Sequence, residues 1–91
     1  TTALFFNTGM GEQQHVLGVA ENLRSKGVSC EIYHEQAKFD KQFKYAEKKN
    51  IPFVVIIGSK EIEAGTALVK ELASGTQTEM KVDELLKGLG Y

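Results

Sequence analysis

The chain has 91 residues, 42% of them hydrophobic and 25% charged, which fits one globular domain with a modest core and excludes two. A formal net charge of −1 gives no overall basic field to draw nucleic acid or membrane, so either partner would have to meet a local patch. One cysteine excludes an internal disulfide, and no apolar run is long enough for a membrane span. Ala3-Leu4-Phe5-Phe6-Asn7 is an apolar first strand, entered straight from Thr1. There is no signal-peptide pattern, and a start without methionine suggests either a piece of a longer protein or a processed start. Thr8-Gly9-Met10-Gly11 reads as a loop. Glu12 to Lys26 reads as a helix, because Val16, Val19, Ala20 and Leu23 recur on one face. Arg24 and Lys26 suit its last turn, and Gly27 suits a left-handed cap.

Val28 to Tyr33 alternates, with Val28, Cys30 and Ile32 on one side and Ser29, Glu31 and Tyr33 on the other, as an edge strand does. Cys30 is then a buried thiol, in keeping with a reducing cytosol. His34 to Lys38 is a polar connection. Phe39 to Lys49 forms a second helix with Phe39, Phe43 and Ala46 on its apolar face; Asn50 ends it and Pro52 forbids its return. Phe53 to Ile57 is an unbroken apolar run, expected as a strand buried on both faces and ended by Gly58. Ser59-Lys60-Glu61 reads as a short polar loop. Gly65 then admits a strand from Thr66 to Leu72, and Ser74-Gly75 turns the chain into another, Gln77 to Lys81. Asp83 to Leu89 reads as a short helix with Asp83 as its N-cap and Val82, Leu85, Leu86 and Leu89 as its apolar stripe.

The order is β-α-β-α-β-β-β-α. Two right-handed crossovers make the first three strands parallel and set the first two helices on opposite faces. The predicted architecture is a three-layer α/β/α domain: a mixed five-stranded sheet in the order 2-1-3-4-5, strands 4 and 5 an antiparallel hairpin, with three helices.

Few motifs carry chemistry. Gly9-Met10-Gly11 lies between a strand and a helix, as in a dinucleotide fingerprint, but Gln14 replaces the third glycine and Glu12 repels a pyrophosphate; a plain β-α turn is the competing reading. His34-Glu35 begins a zinc motif that Lys38 ends. No nucleophile elbow or phosphate loop is visible. Lys38 to Lys49 carries five lysines against Asp40 and Glu47, a balance of +3. Lys41, Lys44 and Lys48 share a face with Tyr45 beside them, which suits phosphates and a base, or simply water. Glu61 and Lys70 stand at strand edges, placed either to meet a ligand or to pair with each other.

Together these residues resemble the C-terminal anticodon-binding domain of class II aminoacyl-tRNA synthetases, most of all the histidyl type. The carriers are Lys41-Gln42-Phe43-Lys44-Tyr45-Ala46, the Ile51-Pro52 strand opening, Gly58 with Glu61 and Gly65, Val69 to Leu72, and Ser74 to Thr78. Leu23-Arg24 followed by Gly27-Val28 adds the end of the first helix. Ser59 and Thr76 depart from the usual glutamates. The resemblance implies the same mixed sheet with three helices, binding of a tRNA anticodon stem-loop, and a separate catalytic domain holding ATP and magnesium, with no cofactor here. It implies anticodon contacts at Gln36, Lys44, Glu61 and Lys70, with Lys41 and Lys48 meeting phosphates. The implied parent is a cytoplasmic homodimer that attaches histidine to its tRNA. A non-synthetase paralogue, regulatory or kinase-fused, and a small nucleotide-binding domain are the alternatives.

Overall fold

The computed structural model describes residues 1–35 and 37–91, the side chain of Met10 excepted. Five strands form one sheet in the order β2-β1-β3-β4-β5: β1 (Ala3–Phe5), β2 (Cys30–Ile32), β3 (Phe53–Ile56), β4 (Thr66–Glu71) and β5 (Gln77–Lys81). β1 runs parallel to both β2 and β3, while β4 is antiparallel to β3 and β5 to β4. This is the predicted order and direction throughout. β1 and β3 are central because their side chains suit burial on both faces: Ala3, Leu4, Phe5, Val54 and Val55 are all fully enclosed.

The helices cover opposite faces. α1 (Met10–Ser25) puts Val16, Ala20 and Leu23 against Phe5, Val55, Ile57, Ala67 and Val69. Leu85 and Leu89 join this face from the C-terminal segment, a 3-10 turn (Val82–Glu84) running into α4 (Leu85–Gly88). α2 (Phe39–Lys48) covers the other face, where Ala46 and Phe43 meet Leu4, Phe6, Val54 and Ile56. Both long helices stop as their sequences require. After α1, Gly27 takes φ +93° and the amides of Gly27 and Val28 return to Arg24 and Leu23. After α2, Asn50 does the same at φ +56°, with Asn50 and Ile51 returning to Glu47 and Ala46.

Two local expectations are corrected. Ser59-Lys60-Glu61 is not a loop but the first half of a further helix, α3 (Ser59–Ala64), closed by Gly65 at φ +72°. Six residues are too few to show a helical period, but Glu61 three residues after Gly58 supplies the reason. The Gly58 amide donates to the Glu61 carboxylate at 2.8 Å, satisfying a backbone group at the helix start. The last helix is likewise not capped by Asp83. It is preceded by a 3-10 turn in which Glu84 accepts from the amide of Lys81, so the carboxylate one residue further on does that work.

Candidate nucleic-acid interface

The C-terminal ends of β2, β1 and β3 form a rim, the place where open α/β sheets present loops to ligands. Here the rim is knitted together by side chains. Asn7 follows β1, and its amide nitrogen and carbonyl oxygen both turn to Gln42 of α2, which is fully buried. Gln42 Oε1 accepts from the Asn7 amide at 2.8 Å, and Nε2 donates to the carbonyls of Asn7 at 3.0 Å and Ala37 at 2.9 Å. The carboxamide thus stands in for one peptide unit of a neighbouring strand. Asn7 Nδ2 reaches the carbonyl of Tyr33, and Thr8 Oγ1 donates to that of Ile57 at 2.8 Å. The exits of all three parallel strands are thereby tied to one another and to the start of α2. Periodicity gave no hint of this role, because a glutamine counts as an outward residue.

Of the residues implied in RNA contact, Gln36 lies outside the described residues. Lys44 and Lys48 are exposed on α2. Lys41 donates to Glu35 Oε1 at 2.9 Å, with His34 Nε2 3.9 Å from the same oxygen. That contact holds the Glu35 carboxyl below and the Lys41 ammonium above their ordinary ranges, mainly through the hydrogen bond between them. Lys70 lies half-buried on the α2 side of the sheet, its Nζ 4.7 Å from the centre of the Phe43 ring. The ring face attracts the ammonium and fixes it beside α2.

Glu61 and Lys70 are not neighbours. Lys70 pairs in register with Val54. Gly58, which bonds to Glu61, lies two residues beyond the end of β3 and four after Val54, about 13 Å at an extended chain's rise per residue. Among the described residues no ion pair joins them. The structure therefore gathers Lys44, Lys48 and Lys70 around α2 and sets Glu61 at the rim.

At the β2 edge, Tyr45 donates to Glu31 at 2.8 Å, and Thr1 donates to the other carboxylate oxygen. These bonds, that from Thr1 first, lower the Glu31 pKa, and the one from Tyr45 raises the pKa of the phenol. Behind them Cys30 is buried, and burial pushes its thiol up against the pull of Arg24, whose guanidinium grips the Cys30 carbonyl at 2.8 and 3.2 Å. The thiol is packing, not chemistry. No group of side chains suited to a metal ion occurs among the described residues.

Residues 6–90 match the profile of the anticodon binding domain. The chain belongs to that family. Among its curated relatives are the histidine–tRNA ligases of Bacteroides fragilis, 39% identical over 98% of the chain, and of Phocaeicola vulgatus, 40% identical over 94%. The chain spans about a fifth of their length: 20% of the first and 19% of the second. Among solved structures, the histidyl-tRNA synthetase from Nostoc sp. PCC 7120 superposes with a TM-score of 0.95 at 30% identity, over 98% of this chain and 21% of that one. The RNA binding domain of threonyl-tRNA synthetase from Cryptosporidium parvum Iowa II, at 13% identity, shares the fold with a TM-score of 0.88 over 97% of this chain and 22% of that one. The anticodon-binding domain thus has the fold that its strand and helix order predicted. No helix among its described residues is long and apolar enough to cross a membrane.

Proposed function

We propose that this domain is the tRNA-reading part of a histidine–tRNA ligase and binds the anticodon stem-loop of histidine tRNA. The observation that carries this reading is the family match over residues 6–90, together with 39–40% identity to enzymes of that name. The surface chemistry agrees: α2 and its flanks concentrate lysines on a chain that is otherwise acidic, the distribution expected of a local phosphate contact. Lys44 and Lys70 are our base-side candidates, with Gln36 on the connection before α2 and Glu61 at the rim. Lys41 and Lys48 are the phosphate-side candidates. Lys41 must exchange Glu35 for phosphate, so its contribution is smaller than that of Lys48. ATP, magnesium and histidine belong to a catalytic domain outside this chain, in a cytoplasmic enzyme that works as a homodimer.

The test is titration of the chain with an RNA hairpin carrying the histidine anticodon and with a second hairpin whose anticodon bases are exchanged. The first should bind more tightly, and affinity should fall steeply with salt. Lys48→Ala should weaken both hairpins equally and flatten the salt dependence. Equal affinity of the unaltered chain for the two hairpins would overturn the reading.

A further inference from the structure

Among the described residues three large apolar side chains are exposed: Leu17, Phe39 and Tyr91. A single exposed apolar residue is ordinary. Leu17 lies on α1, and the hydroxyl of Tyr91 sits 3.0 Å from that of Thr2. Phe39 differs in its surroundings. It is the first residue of α2, one turn closer to the rim than the buried Gln42. Its ring rests edge-on against Phe6, centroids 5.2 Å apart at 61°, and Phe6 in turn meets Phe43 at 4.7 Å and 71°. Lys70 lies over Phe43. The result is a continuous aromatic strip with an ammonium at one end and a ring 45% exposed at the other.

The exposed ring is also backed by fixed neighbours. Phe6 beneath it is fully buried. The helix turn that carries it is bonded through Gln42 to the backbone of Asn7, just after β1, and to the preceding connection through the carbonyl of Ala37. The flanking charge is positive on balance: Lys38, Lys41 and Lys44 stand against Asp40, next in the chain, and Glu35, which pairs with Lys41. A pre-ordered aromatic face in a basic setting fits the planar, polyanionic partner that single-stranded RNA presents, and any base has a π-face to offer it.

We propose that Phe39 is a stacking platform for one unstacked base of the anticodon loop, seated at the rim between α2 and the strand exits. This rests on the anticodon-binding reading and gives it a contact that neither charge nor hydrogen bonding supplies. Stacking is indifferent to base identity, so Phe39 contributes affinity and places the loop, while polar neighbours discriminate.

The experiment uses the full chain and histidine-anticodon hairpins in which the loop bases are replaced one at a time by 2-aminopurine. One position should show fluorescence quenching on binding to the unaltered protein. Phe39→Leu keeps an apolar contact with Phe6 but offers no π-face; it should abolish that quenching and lower affinity roughly 5- to 100-fold. Phe39→Tyr should keep both. A Phe39→Leu protein with an unchanged thermal melt that binds with unchanged affinity and quenching overturns the proposal. So does a variant whose only defect is a lowered melt, which would make the ring a packing residue. If Phe39→Leu fails to fold, loss of quenching with Phe39→Tyr, or no quenching at any position with the unaltered chain, overturns it instead. Failure of the broader reading looks different: the unaltered chain would not distinguish the two anticodons at all.

Discussion

Gln42 shows how much depends on one buried amide. Substitution by Leu keeps the volume but takes away the partner of the part-buried amide and carbonyl of Asn7 and of the carbonyl of Ala37. Each unsatisfied group costs about 1–3 kcal/mol, so Gln42→Leu should lower stability by at least that much, as read from denaturant unfolding. A loss below about 0.5 kcal/mol would mean that water replaces the amide without difficulty. Glu61 has a double position. Its carboxylate caps α3, so Glu61→Ala should cost about 0.5–2 kcal/mol, whereas Glu61→Gln keeps an acceptor for the Gly58 amide and should be nearly neutral. The pair of variants separates its role in the fold from any role in reading RNA, which the neutral Gln variant tests in isolation. Glu31 offers a pH signature. Its folded pKa lies below the ordinary 4.5, so its contribution to stability is complete above that value and is lost as pH falls through the depressed folded value. Tyr45→Phe removes one of the two hydroxyl donors, and the Glu31 carboxyl should then titrate at higher pH by NMR. An unmoved titration would show that the Thr1 bond and the nearby positive charges set it without Tyr45.

At the scale of elements, the parts that sequence makes legible are those governed by repeated pattern. Apolar runs in β1 and β3, helical spacing in α1 and α2 and the Gly27 and Asn50 stops are enough to specify the sheet order and the two covered faces. What escaped was short or exceptional. α3 has six residues and no buried side chain, so it leaves no apolar stripe to read. Phe39 reads as part of the apolar face of α2 because it keeps the spacing of Phe43 and Ala46, yet at the first turn of the helix it is 45% exposed and outside the core cluster that Phe43 and Ala46 join. The separation of Glu61 from Lys70 depends on strand register, which residue spacing alone does not specify. The stop after α2 permits a direct check. Asn50 sits at φ +56°, where a Cβ crowds the following carbonyl oxygen; glycine escapes this and asparagine tolerates it better than alanine. Asn50→Ala should cost about 1 kcal/mol in chemical unfolding, and Asn50→Gly should cost nothing. Equal losses for both would point to the side chain of Asn50 and not its backbone.

The whole molecule has two poles. Asn7, Thr8 and Gly58 lie at the exits of the parallel strands, while the entrances, with Thr2, Ser29 and Pro52, lie at the other end of a body measuring 29 × 28 × 23 Å. The Thr2 and Tyr91 hydroxyls meet there, so both chain ends occupy the pole away from the rim. The Gly75 turn, at φ +73°, belongs to the same pole, because Leu72 just before it bonds to Pro52. The chain can accordingly be recut. Joining Tyr91 to Thr1 through a short glycine linker and opening new ends at Gly75 exchanges one exposed connection for another and leaves α2, the rim and every strand pairing uncut. Such a circular permutant should unfold in a single cooperative transition and hold the same hairpin with the same anticodon preference. A permutant that folds but no longer binds would reveal that the order of the chain, and not only its final shape, reaches the rim.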